Sequence, residues 1–187
     1  MLIFVMIVAY FTTRHTPVPV TPPPVVVPTP QRIGPADIYP TVPGSINTAI
    51  TQATIGQTIC NKNWSTSSER PPTTYTTPLK EKQIARLDLA DTSTKDYEED
   101  HLISLELGGS PTDPDNLWPE PYTASIPDGG ARTKDQVENF LHAQVCAGTI
   151  TLAQAQQEIV TDWYKVYVDN LQGKNGSVET YIDQDDN

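Results

Sequence analysis

Cysteine is scarce in this chain, which has only Cys60 and Cys146 among its 187 residues. Two widely separated thiols exclude a paired-Cys zinc knuckle, which needs four Cys or His ligands at short spacing. In an exported protein, they predict one disulfide that ties the N-terminal part of the chain to a later helix. In a cytosolic protein, they would instead be two small buried hydrophobes.

Basic side chains are also few: 12 Lys and Arg residues stand against 23 Asp and Glu residues, for a formal net charge of −11. This balance argues against a polyanion-binding protein, because phosphate contacts depend on Lys and Arg. The basic residues are grouped, however, before and within the segment that carries the motifs described below. A local basic face is therefore one interpretation, and an ordinary solvated surface is the other.

Long apolar runs are missing, since a bilayer span needs about twenty apolar residues. Residues 1–15 begin with a short apolar stretch that fits part of an export signal or a weak membrane tether. Residues 16–35 are rich in proline and favour a semi-rigid polyproline II linker. Residues 36–172 are expected to form the folded domain, and residues 173–187 an acidic flexible tail. This organisation predicts a secreted, cell-surface or periplasmic protein.

Within the folded part, short strands and helices alternate, which predicts an α+β domain. Residues 97–107 form a strand candidate that ends in a Gly-Gly turn, and residues 116–118 form a second one. A helix is expected over residues 77–87, with proline in its first turn.

Two further helices are expected after the strands. Thr133 can cap the first helix, and Gly148 ends it. Thr151 and Gln154 form a capping box for the second helix, which runs to about residue 171. Apolar residues at helical spacing predict the buried faces, and these are Val137, Leu141 and Val145 in the first helix and Ala155, Ile159, Trp163, Val166 and Tyr167 in the second.

Polar residues recur at fixed points of this order. Asp100 and His101 are adjacent on the first strand and point to opposite sides of it, and Asn116 follows the turn. Four polar residues of the first of these two helices share one face: Asp135, Glu138, Asn139 and His142. Where Asp100 meets that face, oxygen and imidazole ligands could hold a divalent cation. His101 beside it would be a general base, a combination that phosphodiester hydrolysis needs.

Three segments of the chain carry a resemblance to a known family. They read Asp-His-Leu-Ile-x-Leu-Glu-Leu-Gly-Gly over Asp100–Gly109, Asn-Leu-Trp-Pro-Glu-Pro over Asn116–Pro121, and Lys-Asp-x-x-Glu-Asn-x-Leu-His-x-x-Val-Cys over Lys134–Cys146. Together they resemble the HNH, or ββα-metal, nuclease superfamily, and within it a group of small exported bacterial proteins. The resemblance covers roughly residues 54–164.

The resemblance implies a ββα-metal core, made of a short β-hairpin and a helix, with additional flanking helices. It also implies that His101 is the general base, that Asp100 is a metal ligand, and that Asn116 constrains the turn so that the histidine is oriented. The final ligand of the family normally follows the middle Asn by about nine residues, whereas here Trp118–Arg132 intervene.

The helix ligand therefore stays open. Asn139 is the first choice, His142 is the second, and Glu138 competes with both, since Glu138 and His142 form an i, i+4 pair. Mg²⁺ is the expected ion, with Mn²⁺ and Zn²⁺ as alternatives, and no organic cofactor is expected. Asp135 is expected to stabilise the helix dipole and not to bind the metal.

The function that these features predict is metal-dependent endonucleolytic hydrolysis of DNA with little sequence specificity. The expected phosphate contacts are Lys80, Lys82, Arg86, Arg132 and Lys134. Glu106 and Glu120 are expected on the surface or in turns, and Trp118 and Trp163 in the core. The alternative, motivated by the net acidity and the missing zinc knuckle, is a catalytically inactive, disulfide-stapled binding module on the same scaffold.

Overall fold

The computed structural model describes residues 38–87, 89 and 91–174. The predictions for the signal-like segment, for the proline-rich linker and for most of the acidic tail lie outside these residues. The described helices and strands are α1 (Thr73–Leu87), β1 (Tyr97–His101), β2 (Leu117–Pro121), α2 (Ala131–Cys146) and α3 (Leu152–Asn170). Their mixture of helix and antiparallel strand is of the predicted α+β class.

Strands β1 and β2 form a two-stranded antiparallel sheet, in which Tyr97 lies opposite Pro121 and His101 lies opposite Leu117. Pro119 and Pro121 have no N–H to donate, and a strand with one unpaired edge tolerates that loss. Helix α1 lies against this hairpin. The contact includes a hydrogen bond from Nε2 of the buried Gln83 to the Leu117 carbonyl oxygen, at 2.8 Å.

Strand β1 is shorter than predicted, since it ends at His101 and not near residue 107. Residues 105–107 instead form a short 3₁₀ turn, after which Gly108 adopts a positive φ of 73°. Gly109 allows the chain to close on itself, because a Cβ there would lie 1.7 Å from the Ile103 carbonyl oxygen. The predicted Gly-Gly turn is thus present, but residues 102–107, which were predicted as strand, lead into it without strand structure.

Helix α1 begins at Thr73, four residues before the predicted start, so Pro78 lies inside the helix and not in its first turn. Helices α2 and α3 are present where they were predicted, and the Thr151–Gln154 capping box is formed. The predicted cap of α2 at Thr133 is wrong, because α2 begins at Ala131 with Gly130 as its N-cap. Gly148 has a positive φ of 73° just beyond the end of α2. All the apolar residues predicted for the inner faces of these two helices are buried.

The core lies between α2, α3 and the segment that links the strands. Trp118 and Trp163 are both buried in it, as predicted. The indole Nε1 of Trp163 donates to the Ile38 carbonyl at 2.9 Å, so the first described residue is anchored to α3.

Cys60 and Cys146 form a disulfide with a Cα–Cα distance of 5.4 Å, which confirms the predicted pairing. The bridge joins the segment that precedes α1 to the last residue of α2, and it fits an oxidising compartment. Within the described part of the chain, no helix is both long and apolar enough to cross a membrane.

Candidate active site

His101 stands at the end of β1 with its side chain held by one backbone carbonyl. Its Nε2 lies 3.0 Å from the Pro111 oxygen, and because a carbonyl only accepts, Nε2 carries the proton. The residue is 5 % exposed. Burial lowers the pKa of His101, although the neighbouring Asp100 charge opposes the shift. The ring is therefore neutral near pH 7, and its Nδ1 carries the lone pair.

Asn116 fixes the loop that supplies this carbonyl. Its Oδ1 accepts from the Ile103 N–H at 3.0 Å, and its Nδ2 donates to the carbonyls of Ile103 and Ser110, each at 3.0 Å. Oδ1 also accepts from the Ser45 N–H at 3.3 Å. Asn116 is fully buried, so it has no route to a substrate. These contacts are the ones needed to constrain the turn and to orient His101 through Pro111.

Acidic side chains occupy the face of the hairpin that points away from His101. Glu98 lies opposite Glu120 in the strand register, and Asp100 is two residues along from Glu98, so the three share that face. Helix α2 covers it and adds Asp135 and Glu138. We refer to Glu98, Asp100, Glu120, Asp135 and Glu138 as the acidic cluster.

Lys134 lies at the centre of the acidic cluster with no exposed surface. Its Nζ is 2.5 Å from Asp100 Oδ2 and 2.9 Å from the His101 carbonyl oxygen, and it also bonds Glu138 Oε1. An ammonium group has three N–H donors, and these contacts use all three. Burial alone would lower the pKa of Lys134, but the charges of Asp100 and Glu138 outweigh it and raise the pKa well above its ordinary value.

The prediction that Lys134 contacts DNA phosphate is therefore wrong. A Lys near the start of a helix is usually exposed to solvent. Lys134 is buried instead, because this part of α2 packs against the hairpin. Asp100 carries the negative charge that pairs with the Lys134 ammonium. Burial alone would raise the pKa of Asp100, but the Lys134 charge lowers it to about 2.

Glu120 is the most unusual member of the acidic cluster. It is 1 % exposed, and its protonated carboxyl group shares a hydrogen bond with the Asp100 carboxylate. The nearest cation is Lys134, whose Nζ is 3.9 Å from Oε2. Burial raises the pKa of Glu120 well above its ordinary value, the Lys134 charge opposes the shift, and the Asp100 charge adds to it. The prediction of a surface or turn position for Glu120 is wrong, because β2 faces α2 here.

The other carboxyl groups of the cluster also resist ionisation. Burial, with the Asp100 and Asp135 charges, raises the pKa of Glu98 to about 7. Burial, with the Asp100 charge, raises the pKa of Asp135 to about 6. Burial likewise raises the pKa of Glu138 well above its ordinary value, although Lys134 opposes it. The single Lys134 ammonium therefore does not supply enough positive charge to keep all five carboxyl groups of the cluster ionised.

Of the three candidate helix ligands, Glu138 is the one that joins Asp100, through Lys134. The Asn139 amide donates from Nδ2 to the Asp135 carbonyl one turn earlier in α2. The His142 ring lies beside the disulfide instead, with Nε2 2.8 Å from the Ile59 oxygen. Within the described residues, no hydrogen bond or ion pair links Asn139 or His142 to Asp100 or His101.

The remaining predicted phosphate contacts lie on two sides of the hairpin. On α1, Lys82 and Arg86 are exposed, whereas Lys80 is half-buried and donates to the Tyr97 carbonyl at 2.8 Å. On α2, Arg132 is exposed, lies 3.4 Å from Asp135 and covers the Tyr122 ring at 5.6 Å.

Arg70 is a second cation on the acidic side, and it was not among the predicted phosphate contacts. Arg70 is exposed, and its charge lowers the pKa of both Glu98 and His101. Arg132 acts on Glu98 in the same way, so the two guanidinium groups flank the acidic cluster at the surface. Only the folding of the segment before α1 brings Arg70 there, and no local pattern in the sequence signals it.

A cavity of about 430 Å³ lies between α1 and β2, away from these groups. Gln83, Arg86, Tyr97, Trp118 and Tyr122 contribute to its wall, and no member of the acidic cluster does. Its walls are mainly apolar, so it does not suit a phosphate backbone.

No family model, curated protein or solved structure matches this chain. Its chemistry accordingly rests on the geometry of its own residues.

Proposed function

We propose that this chain is a metal-dependent endonuclease that hydrolyses DNA phosphodiester bonds with little sequence specificity. The observation that supports this most strongly is the state of His101. Its ring is neutral, donates Nε2–H to the Pro111 carbonyl, and keeps Nδ1 as a proton acceptor, although its side chain lies on the opposite face of β1 from that of Asp100. An oriented imidazole with one lone pair is the usual general base of enzymes that work near neutral pH.

In the proposed reaction, Nδ1 of His101 takes a proton from a water molecule as the water oxygen attacks the phosphorus. A new P–O bond forms, and the bond to one sugar oxygen breaks. Asn116 has a positioning role here, because it fixes the loop whose Pro111 carbonyl holds the ring. Arg70 and Arg132, whose charges act on Glu98 from the surface, would contact the phosphates of the substrate.

The acidic cluster has the donor set for a divalent cation of the Mg²⁺ class, which prefers oxygen ligands. Asp100, Glu120 and Glu138 would hold the ion, which would have to displace the Lys134 ammonium from between Asp100 and Glu138. When bound, such an ion stabilises the charge that develops on the phosphate and on the leaving oxygen.

Lys134 supports a second candidate function. Its ammonium already neutralises two carboxylates of the cluster, so the scaffold can fold without any metal. That arrangement favours a disulfide-stapled binding module that has kept the hairpin and helix but does not cleave. The two candidates make opposite predictions for metal-dependent cleavage.

The experiment that separates them is nicking of supercoiled plasmid by the full chain with Mg²⁺ or Mn²⁺, with and without a chelator. We expect nicking that needs the ion and stops with the chelator. The Asp100→Asn variant should need a higher metal concentration than the parent for half-maximal nicking. Glu158→Gln, at an exposed site on α3, should need the same metal concentration as the parent. A folded chain that binds DNA but never nicks it, at any metal concentration, would establish the binding module instead.

A further inference from the structure

The disulfide has a histidine beside it that the proposed hydrolysis does not use. His142 lies one helical turn before Cys146 on α2. The two sulfur atoms and one ring nitrogen of His142 all lie within 4.8 Å of one another. Two sulfurs and an imidazole at this separation are three of the four ligands of a common zinc site.

The surroundings of His142 suit a metal ligand whichever ring nitrogen binds. The Ile59 carbonyl oxygen is 2.8 Å from Nε2, and Glu106 Oε2 is 3.6 Å from Nδ1. If one nitrogen binds a metal, the other keeps an oxygen acceptor for its N–H. Metal-bound histidines almost always have such a partner, which fixes the ring and its tautomer.

We propose that reduction of the Cys60–Cys146 disulfide creates a site for a zinc-class ion, held by both thiolates and by His142. A phosphine supplies two electrons and becomes a phosphine oxide with an oxygen from water, the S–S bond breaks, and the two protons of that water give two thiols. Binding of the ion then displaces both thiol protons to solvent. Glu106, 3.6 Å from His142 Nδ1, can supply the fourth ligand, and solvent can otherwise fill that position.

The bridge is open to such chemistry, because Cys146 is exposed and Cys60 is half-buried. A bound ion would replace the covalent link between the segment before α1 and the end of α2 by a coordinate one. The site involves neither His101 nor Asp100, so it stands whether or not the chain cleaves DNA. Thiolate ligands also separate it from the acidic cluster, whose oxygen donors favour Mg²⁺.

The test uses the full chain, reduced with a water-soluble phosphine that becomes a phosphine oxide as the disulfide opens. After anaerobic removal of the reductant, Co²⁺ is added as a spectroscopic probe. We expect the near-ultraviolet thiolate-to-cobalt bands and the visible bands of tetrahedral Co²⁺, and we expect Zn²⁺ to bleach them. The oxidised chain should show neither set of bands.

Variants locate the site. Cys146→Ser should abolish the charge-transfer bands, and His142→Ala should weaken Co²⁺ binding by at least the roughly 10–100-fold seen when metal-site partners are removed. Glu158→Gln, at an exposed site on α3, should leave the spectrum unchanged. Absence of thiolate bands in the reduced parent, or full affinity in His142→Ala, would overturn the proposal. If the reduced chain loses its helices, Zn²⁺ should restore them in the circular dichroism spectrum, and failure to do so would also overturn it.

Discussion

Nζ of Lys134 lies 2.5 Å from Oδ2 of Asp100, in a pair whose side chains are 0 % and 13 % exposed. The same ammonium also forms an ion pair with Glu138. Glu120 and Glu98 lie nearby, and the pKa of each is raised. The cluster therefore holds one internal cation for several carboxyl groups. Its stability, its protonation and its capacity for a divalent ion all depend on this imbalance.

Replacing Lys134 by Met should strongly destabilise the fold. The change leaves Asp100 and Glu138 buried without their cation, and breaking a buried pair costs about 3–5 kcal/mol. Urea unfolding measures the loss, and added Mg²⁺ should recover part of it if the cluster takes a divalent ion. Lys165→Met is the matched control, because Lys165 pairs with Asp169 on the open surface and its loss should change stability little. Equal effects in the two variants would contradict the central role of Lys134.

Stability should rise as the pH falls from about 8 to about 6.5, above the range in which the lowered pKa values of His101 and His142 act in the opposite direction. The folded-state pKa values of Asp135, Glu98 and Glu99 are raised by burial to about 6, 7 and 8. Groups with raised pKa bind protons more tightly in the folded chain, so their contribution is complete below the unfolded pKa and is lost as the pH rises through the folded pKa. Melting temperature measured across this range tests the trend, and a flat or rising profile toward pH 8 would contradict it.

Glu99→Gln isolates one part of that trend. Both oxygens of Glu99 lack hydrogen-bond partners, and burial raises its pKa despite the opposing charge of Lys80. A neutral amide should therefore stabilise the chain at pH 8 and flatten the profile between about pH 7 and 8. Asp100 acts oppositely, because its lowered pKa gives stability that is lost only in stronger acid.

Asn116→Ala should cost on the order of 3 kcal/mol, because it leaves buried partners at Ile103 and Ser110 without hydrogen bonds. The His101 ring should also lose its fixed orientation, which the NMR signals of its ring nitrogens would report. Asn139→Ala is the control, since that amide bonds only the Asp135 carbonyl of its own helix. An Asn116→Ala chain with unchanged ring signals would show that the loop does not orient His101.

The cations that contact DNA should be those on the acidic side. Combined Arg70→Gln and Arg132→Gln changes should weaken binding for all DNA sequences and reduce its salt dependence by about two phosphate contacts. The matched control is the double variant Lys82→Gln and Arg86→Gln, which removes two exposed cations from α1 instead. Fluorescence anisotropy across a salt series compares them, and a larger loss from the α1 pair would move the binding face to α1.

The sequence carried reliable information where local chemistry decides the structure. The stripe of Val137, Leu141 and Val145 and the Thr151–Gln154 box depend only on helical spacing and capping, and both are present. The disulfide was also predictable, because two thiols leave a single pairing.

Contacts between distant segments decided the rest. Strand β1 ends at His101 because Asn116 and the close approach at Gly109 fold the next residues into a turn. Lys134 and Glu120 are buried because α2 lies across the hairpin, and neither residue has a local pattern that distinguishes it from a surface residue. The placement of Asp100 and His101 on β1 was thus predictable, but the buried position of Lys134 between the carboxylates was not.

The most direct test of the account is the rate at which His101→Ala nicks supercoiled plasmid at a saturating Mg²⁺ concentration matched to the parent. Removal of a general base should slow nicking by about 10²–10⁴-fold. Circular dichroism and Mg²⁺ affinity should stay close to those of the parent, because His101 activates water and does not hold the ion. Free imidazole should restore part of the rate. Nicking by His101→Ala at the rate of the parent would contradict the assignment of His101 as the base.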